Sequence, residues 1–184
     1  MVDPTPNPTS PADKPFALRA CFFTAAFLAF ILGVVPSLFR LGDRLFQPSG
    51  SLRSDISQFW SGFQHLTGVA VFAGGLWVYL ACSAWLIFFG KGPHVEFDPP
   101  RVFVASGPYR WCRNPVAASL IVTVLGEAIY FSSLGILLLV LIGLPIAHWQ
   151  VTRIEEPRLR QRFGESYEAY CRRVPRWVPR PPTD

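Results

Sequence analysis

The chain turns on Ser106-Gly107-Pro108-Tyr109-Arg110-Trp111-Cys112-Arg113-Asn114-Pro115, which stands between two long apolar segments. Two arginines, a tyrosine, a tryptophan, an asparagine, two prolines and a glycine fall within ten residues. Gly107-Pro108 signals a turn. Pro115 biases Asn114 toward an extended backbone and suits the first position of a helix, where its missing N–H leaves no bond unmade. The stretch reads as a rigid cationic loop at a membrane surface, aimed into the head of an apolar helix. It would form one half of a binding site. The other half is the polar segment around Glu155 and Glu156.

The composition points to the same solvent. The 184 residues suffice for one compact unit, and 51% of them are hydrophobic against 16% charged. With a mean hydropathy of +0.31 the chain is too apolar for an ordinary soluble domain, and an integral membrane protein is expected. The net charge of +5 does not indicate nucleic acid, because the arginines flank apolar spans instead of forming a soluble basic face. Cys21, Cys82, Cys112 and Cys171 form no CxxC pair, and His65, His94 and His148 show no ligand spacing. Neither a disulfide framework nor a metal site is expected.

Read in order, residues 1–15 are Pro-rich and polar, with disorder expected. Phe16 to Phe39 is a first span; as a signal peptide its apolar core would be too long and would lack a cleavage site. Arg40 to Ser61 reads as a mixed loop, with Ile56, Phe59, Trp60 and Phe63 at near-helical spacing for a short interfacial piece. His65 to Gly90 is a second span, and Ala73, Gly74, Gly75 and Ala81 supply small residues for close helix packing. Lys91 to Asn114 is polar, and Pro99-Pro100 forbids a continuous helix. Pro115 to Phe131 is a third span, Ser132-Ser133 a minimal turn, and Leu134 to Trp149 a fourth span with a kink expected at Pro145. Beyond it, Leu159, Phe163, Tyr167, Tyr170 and Val174 form a helical stripe interrupted at Gly164, before an irregular Pro-rich tail. The expected fold is all-α and integral to the membrane. It has four transmembrane helices, a tight hairpin of the third and fourth, and a C-terminal helical cap. Residues 16–90 would hold the first two spans, and 91–180 a ligand-binding core. Twelve of the 17 basic residues lie at or after Lys91, so the positive-inside rule puts that loop and the tail in the cytoplasm, and four spans put the N-terminus there too.

The hairpin sets Arg110, Arg113 and Asn114 opposite Arg153, Glu155 and Glu156, across one helix–helix distance of about 8–10 Å. Apolar walls with both signs of charge at the mouth suit a zwitterionic ligand from the cytoplasm beside a lipid-soluble one from the bilayer. The same charges also read as snorkelling anchors and surface ion pairs, and the residues alone leave both readings open. Glu127, inside the third span, either orients or deprotonates a substrate or packs as a neutral or paired group between helices. Trp111 and the His148-Trp149 pair read as interfacial, and Cys112 as a packing residue.

Several motifs go further. Gly107-Pro108-Tyr109-Arg110, Arg113-Asn114-Pro115, Glu155-Glu156, the run Phe163-Gly164-Glu165-Ser166-Tyr167-Glu168-Ala169-Tyr170 and Val174-Pro175 occur in order around the hairpin. Over roughly residues 90–180 the chain resembles the isoprenylcysteine carboxyl methyltransferase family, related to the integral-membrane phospholipid methyltransferases. The resemblance implies S-adenosylmethionine (SAM) as methyl donor, bound at the cytoplasmic end of the last helices. By position it implies cofactor contacts at His94, Arg101, Val102, Phe103, Val104, Tyr109, Asn114, Pro115 and Glu155, with Glu156 beside them. Three departures stand out: Asn114 where many members have histidine, Ala117 where many have an aromatic, and Val151 where a substrate-side arginine is usual. Arg153 is the nearest candidate for that arginine.

Methyl transfer from a sulfonium is an in-line displacement, in which alignment of donor and acceptor supplies much of the rate. A carboxylate acceptor needs no general base, and an arginine such as Arg113 or Arg153 would orient it. An amine acceptor must first lose a proton, a task that Glu127 could serve. The expected activity is a SAM-dependent membrane methyltransferase on a lipophilic or lipidated acceptor, by carboxyl O-methylation. The alternatives are lipid-amine N-methylation and a non-catalytic or NADPH-binding relative. No nucleic-acid partner is expected. The membrane would be the bacterial inner membrane, or the endoplasmic reticulum in a eukaryote.

Overall fold

The computed structural model describes residues 14–46, 55–90 and 102–182. Among them every regular element is helical. Helix α1 (Lys14–Leu28) runs through a π-helical turn (Ala29–Val34) into α2 (Val35–Phe46). Then come α3 (Asp55–Gly90), a 3-10 turn (Gly107–Arg110), α4 (Pro115–Phe131) and α5 (Leu134–Gln150). A second π-helical turn (Val151–Glu155) leads into α6 (Glu156–Arg173). Three stretches are long and apolar enough to cross a membrane: Cys21–Asp43, Ser61–Gly90 and the rod that begins at Leu134. Helix α4, at 17 residues, is at the short end of the spanning range. The protein is thus an all-helical integral membrane protein whose element order accommodates the four expected spans.

Both π-turns have the same local cause. A proline inside a helix has no N–H and its ring crowds the carbonyl four residues back. Pro36 follows the first π-turn and Pro157 the second. In each case the residue before the proline bonds five residues back, Val35 N–H to the Phe30 carbonyl and Glu156 N–H to the Val151 carbonyl. A wide turn absorbs the missing bond while the helix continues. Pro145, the expected kink, lies inside α5, and the π-helical irregularity follows at 151–155.

One end of the bundle is closed by cross-helix capping. The α4–α5 turn is Ser132-Ser133, with Ser132 left-handed at φ 49°. Ser133 Oγ accepts from Ile136 N–H at 3.0 Å and itself donates to Asp43 of α2. Asp43 also accepts from Gly135 N–H at 2.9 Å. A carboxylate thereby meets the N-terminal N–H groups of α5, where the helix dipole favours negative charge. Gln64 of α3 donates to the Ile129 carbonyl at 2.5 Å and to Ser132 Oγ. The residues expected to form a loop from Arg40 to Ser61 are therefore partly helical: α2 continues to Phe46 and α3 begins at Asp55. The charge of Asp43 is spent on a neighbouring helix, which composition does not reveal. The expected interfacial piece at Ile56, Phe59 and Trp60 becomes the first turns of α3.

Helices α3 and α4 run antiparallel in close contact. A Cβ on Gly68 would sit 2.6 Å from Tyr130 N, and one on Gly75 2.7 Å from Thr123 N. One on Gly126 would collide with the Phe72 backbone. Small residues let the two backbones approach, and in lipid such packing replaces the hydrophobic effect as the main attraction. Gly74, named beside Gly75 in the sequence, has open space. A core of Val124, Ala128, Ile136 and Val140 joins α4 to α5, with Ile31, Leu32 and Phe39 packed on it from the first rod. The chain passes to the capped end, back, out and back again. It leaves Gly90, the 102–114 loop, α6 and the tail together at the opposite end.

Candidate active site at the loop end of the bundle

The loop from Val102 to Asn114 is tied to three neighbours. Val102 N–H donates to the Gly90 carbonyl at 3.0 Å, which anchors the loop to the end of α3. Trp85 Nε1 of α3 donates to Ser106 Oγ at 3.3 Å, and Gly107, at φ 58°, lies against the Trp85 ring, where a side chain would collide. Phe103 inserts into α6, its ring centroid 5.2 Å from those of Phe163 and Tyr170 and 5.9 Å from that of Tyr167. This is the stripe seen in the sequence. It survives because Gly164, at φ 53° and ψ −128°, breaks the helix between Phe163 and Tyr167 and turns both onto Phe103. Tyr170 Oη donates to the Tyr109 carbonyl at 2.7 Å. Burial pushes the Tyr109 phenol well above its ordinary range, so it remains a protonated donor.

The tail crosses this loop as a strap. Arg113 N–H donates to the Pro175 carbonyl at 2.9 Å and Arg180 N–H to the Trp111 carbonyl at 3.0 Å. Cys112 Sγ donates to the carbonyls of Arg176 and Trp177, both at 3.3 Å. Burial pushes its thiol up, which keeps it an inert packing group as the sequence indicated. Asn114 Nδ2 donates to the Arg176 carbonyl at 3.1 Å, and Trp177 Nε1 donates to His148 Nδ1 at 3.1 Å. His148 therefore receives the tail, where the sequence suggested an interfacial pair with Trp149.

At the centre is Glu156, whose side chain is 3% exposed. Its Oε1 accepts from Arg113 Nη1 at 3.0 Å and Arg176 Nε at 2.6 Å, and its Oε2 from Arg176 Nη2 at 3.1 Å. Arg160 Nη2 is 3.5 Å from Oε2 and bonds Glu168 Oε1 at 2.7 Å through its Nε. Burial alone would raise the Glu156 pKa. The Arg176 hydrogen bond and the charges of Arg113, Arg176 and Arg160 outweigh it and hold the carboxyl below its usual 4.5. Arg113 Nη1 also lies 2.9 Å from Cys171 Sγ, while its buried Nε has no partner among the described residues.

The structure thus brings together Phe103, Val104, Tyr109, Arg113, Asn114, Pro115 and Glu156 of the residues expected at the site, with Glu155 on the adjoining turn and within electrostatic range of Tyr109. Arg153 is exposed on that same turn. His94 and Arg101 lie outside the described residues. Glu127 is not part of the group: it sits 12 residues beyond Pro115 in α4, about 18 Å along the helix. There it is buried, with Oε2 unpartnered among the described residues and Arg40 as the nearby charge. A small cleft of about 90 Å³ is lined by Ala105, Arg110, Tyr170, Arg173, Val174 and Pro182. Arg176 and Tyr170 are the contributors that sequence reasoning did not place at the site. A cation between Pro175 and Trp177, in a tail stiffened by prolines, was the available signal for Arg176.

The phospholipid methyltransferase family model matches residues 63–166, more than half of the chain. The chain belongs to the phospholipid methyltransferase family. It is a membrane methyltransferase, as the motifs around the hairpin implied. The family match takes in α3 from its third turn, the loop, the hairpin, Glu155-Glu156 and the first half of α6, and stops before Tyr167. The strap with Arg176 lies beyond it. No curated protein and no solved structure matches the chain.

Proposed function

We propose that this membrane methyltransferase takes its methyl group from S-adenosylmethionine and delivers it to a carboxylate on a lipophilic acceptor of the isoprenylcysteine kind. The observation that carries the reading is the spare donor capacity at Arg113. Arg113, Arg160 and Arg176 bond the carboxylates of Glu156 and Glu168, and the Arg113 Nε–H is buried with no acceptor among the described residues. A buried unpaired guanidinium donor is costly and fits an anionic group. It gives the residues present a place for the carboxylate of the donor or of the acceptor.

In this reading Tyr109, Asn114, Pro115, Glu155 and the Phe103–Val104 wall line the cofactor, with Val102 at the edge; His94 and Arg101 are further contacts that the family resemblance implies. The bound cofactor would supply the electrophilic methyl group. Asn114 keeps its Oδ1 as an acceptor, since only its Nδ2 is given to the strap. Glu155 offers a carboxylate to a cationic ligand group. Glu156, saturated by arginines, holds Arg113. Arg113 orients the acceptor, and Arg153 on the exposed turn guides it in. The loop, hairpin and α6 act as one unit over 91–180, with both termini on the cytoplasmic side of the membrane.

The family description favours a second reading, lipid-amine N-methylation. That route needs a base, because the ammonium must lose a proton before attack. Glu127 is the buried candidate, yet it lies about 18 Å along α4 from Pro115, which argues for the carboxylate. The test is label transfer from methyl-labelled SAM to N-acetyl-farnesylcysteine and, separately, to phosphatidylethanolamine. Product label released as methanol by mild base is an ester and supports the proposal. Base-stable label on the amine lipid contradicts it.

A further inference from the structure

Arg176 lies outside the matched residues, in the strap, yet it takes the largest share of Glu156: one guanidinium bonds both carboxylate oxygens, at 2.6 and 3.1 Å. Arg113 donates only one bond to that carboxylate, to the oxygen that Arg176 Nε also occupies. A carboxylate offers about four lone-pair sites and prefers a bidentate guanidinium where one is free to reach it. With Arg176 present, Arg113 is confined to an end-on contact through Nη1. That contact leaves its Nε buried and unpartnered. Were Arg176 absent, Glu156 Oε1 would be open to Arg113 and only the 3.5 Å contact of Arg160 would remain on Oε2, so the Arg113 fork would rotate to take both oxygens. Cys171, 2.9 Å from the same Nη1, would lose that neighbour.

We infer that Arg176 is a positioning residue: through Glu156 it holds Arg113 end-on, and the C-terminal strap thereby completes the site. The inference rests on the proposed SAM-dependent reading for its effect on ligand binding, but its effect on Arg113 stands apart from it. The strap is well placed for the task. It is pinned on both sides of Arg176, by the Pro175 carbonyl on Arg113 N–H and by the Trp177 indole on His148.

The test uses the full chain in detergent, with Arg176→Ala and Arg176→Lys. Calorimetry reads the SAM Kd. Maleimide labelling, resolved by mass spectrometry, reads Cys171, with its rate in the parent protein as the standard. Arg176→Ala should raise the Kd about tenfold and slow Cys171 labelling several-fold relative to the parent protein, since the thiol loses the cation beside it. Arg176→Lys, with one ammonium for two oxygens, should fall between the Ala variant and the parent, and it carries the test if the Ala variant does not fold. In an Arg113→Ala background the loss of Arg176 should leave the Kd where Arg113→Ala put it, whereas a merely structural role would add a second loss. An unchanged Kd and Cys171 rate in Arg176→Ala would overturn the inference. If the parent protein binds no SAM, the proposed cofactor fails, and the Cys171 rate alone decides whether Arg176 positions Arg113.

Discussion

Glu156 separates what looks like a ligand contact from what serves as a structural anchor. In the sequence it stands beside Glu155 as one of a matched pair, and nothing distinguishes the two. In the structure the π-turn ahead of Pro157 ends between them, so that Glu156 points into three arginines while Glu155 stays on the adjoining turn. Because its pKa is lowered by folding, the ionised Glu156 contributes stability that is complete above about pH 4.5 and is lost as pH falls below that value. Glu156→Gln would leave the largely buried Arg113 guanidinium and its partly exposed neighbours Arg160 and Arg176 without their counter-charge and should cost up to about 3 kcal/mol at neutral pH. The gap between the thermal midpoints of the two proteins should be widest near pH 7 and narrow toward pH 4. A gap that does not change with pH would mean that the charge of Glu156 is not what holds the cluster.

At the scale of elements, most of the helices were legible, and the reasons for the exceptions are physical. Apolar runs and the Ser132-Ser133 turn gave α4 and α5 their limits, and Gly164 was readable as a break in the stripe. The ends of α2 and α3 were not readable, because Arg40 and Asp43 have loop-like character while serving as a cation over the Phe131 ring, 3.7 Å from its centroid, and as a cap for α5. Small residues were seen in α3, but which of them touch α4 depends on helix phase, and Gly68 and Gly75 carry that contact where Gly74 does not. Gly75→Val should therefore overpack α3 against Thr123 and cost about 1–3 kcal/mol, whereas Gly74→Val should change little. Thermal unfolding of the two variants in the same detergent checks this, and equal effects would contradict the close approach.

For the whole molecule, the chain brings its loop, α6 and tail to one end of the bundle, and its capped turn to the other. The number of spans was legible in the apolar runs, and the arginine distribution carries an expectation of their sense. Half of the site was legible too, since Arg113, Asn114 and the glutamates flank the hairpin. The strap was legible only as a Pro-rich tail, because it is held largely through its own backbone carbonyls and a shared carboxylate, neither of which leaves a pattern in sequence. A reporter active only in the cytoplasm should work when fused after Asp184 and fail when inserted at Ser132. The reverse result would invert the orientation and remove the cofactor site from the cytoplasm.

The central claim is that the loop end of this bundle binds S-adenosylmethionine through Glu155 and its neighbours. Calorimetry of the purified full-length protein with SAM, and with NADPH as the control ligand, tests it most directly. The account predicts micromolar SAM binding that is lost in a folded Glu155→Ala variant, with no NADPH binding. A well-folded protein that binds NADPH, or neither ligand, would contradict it.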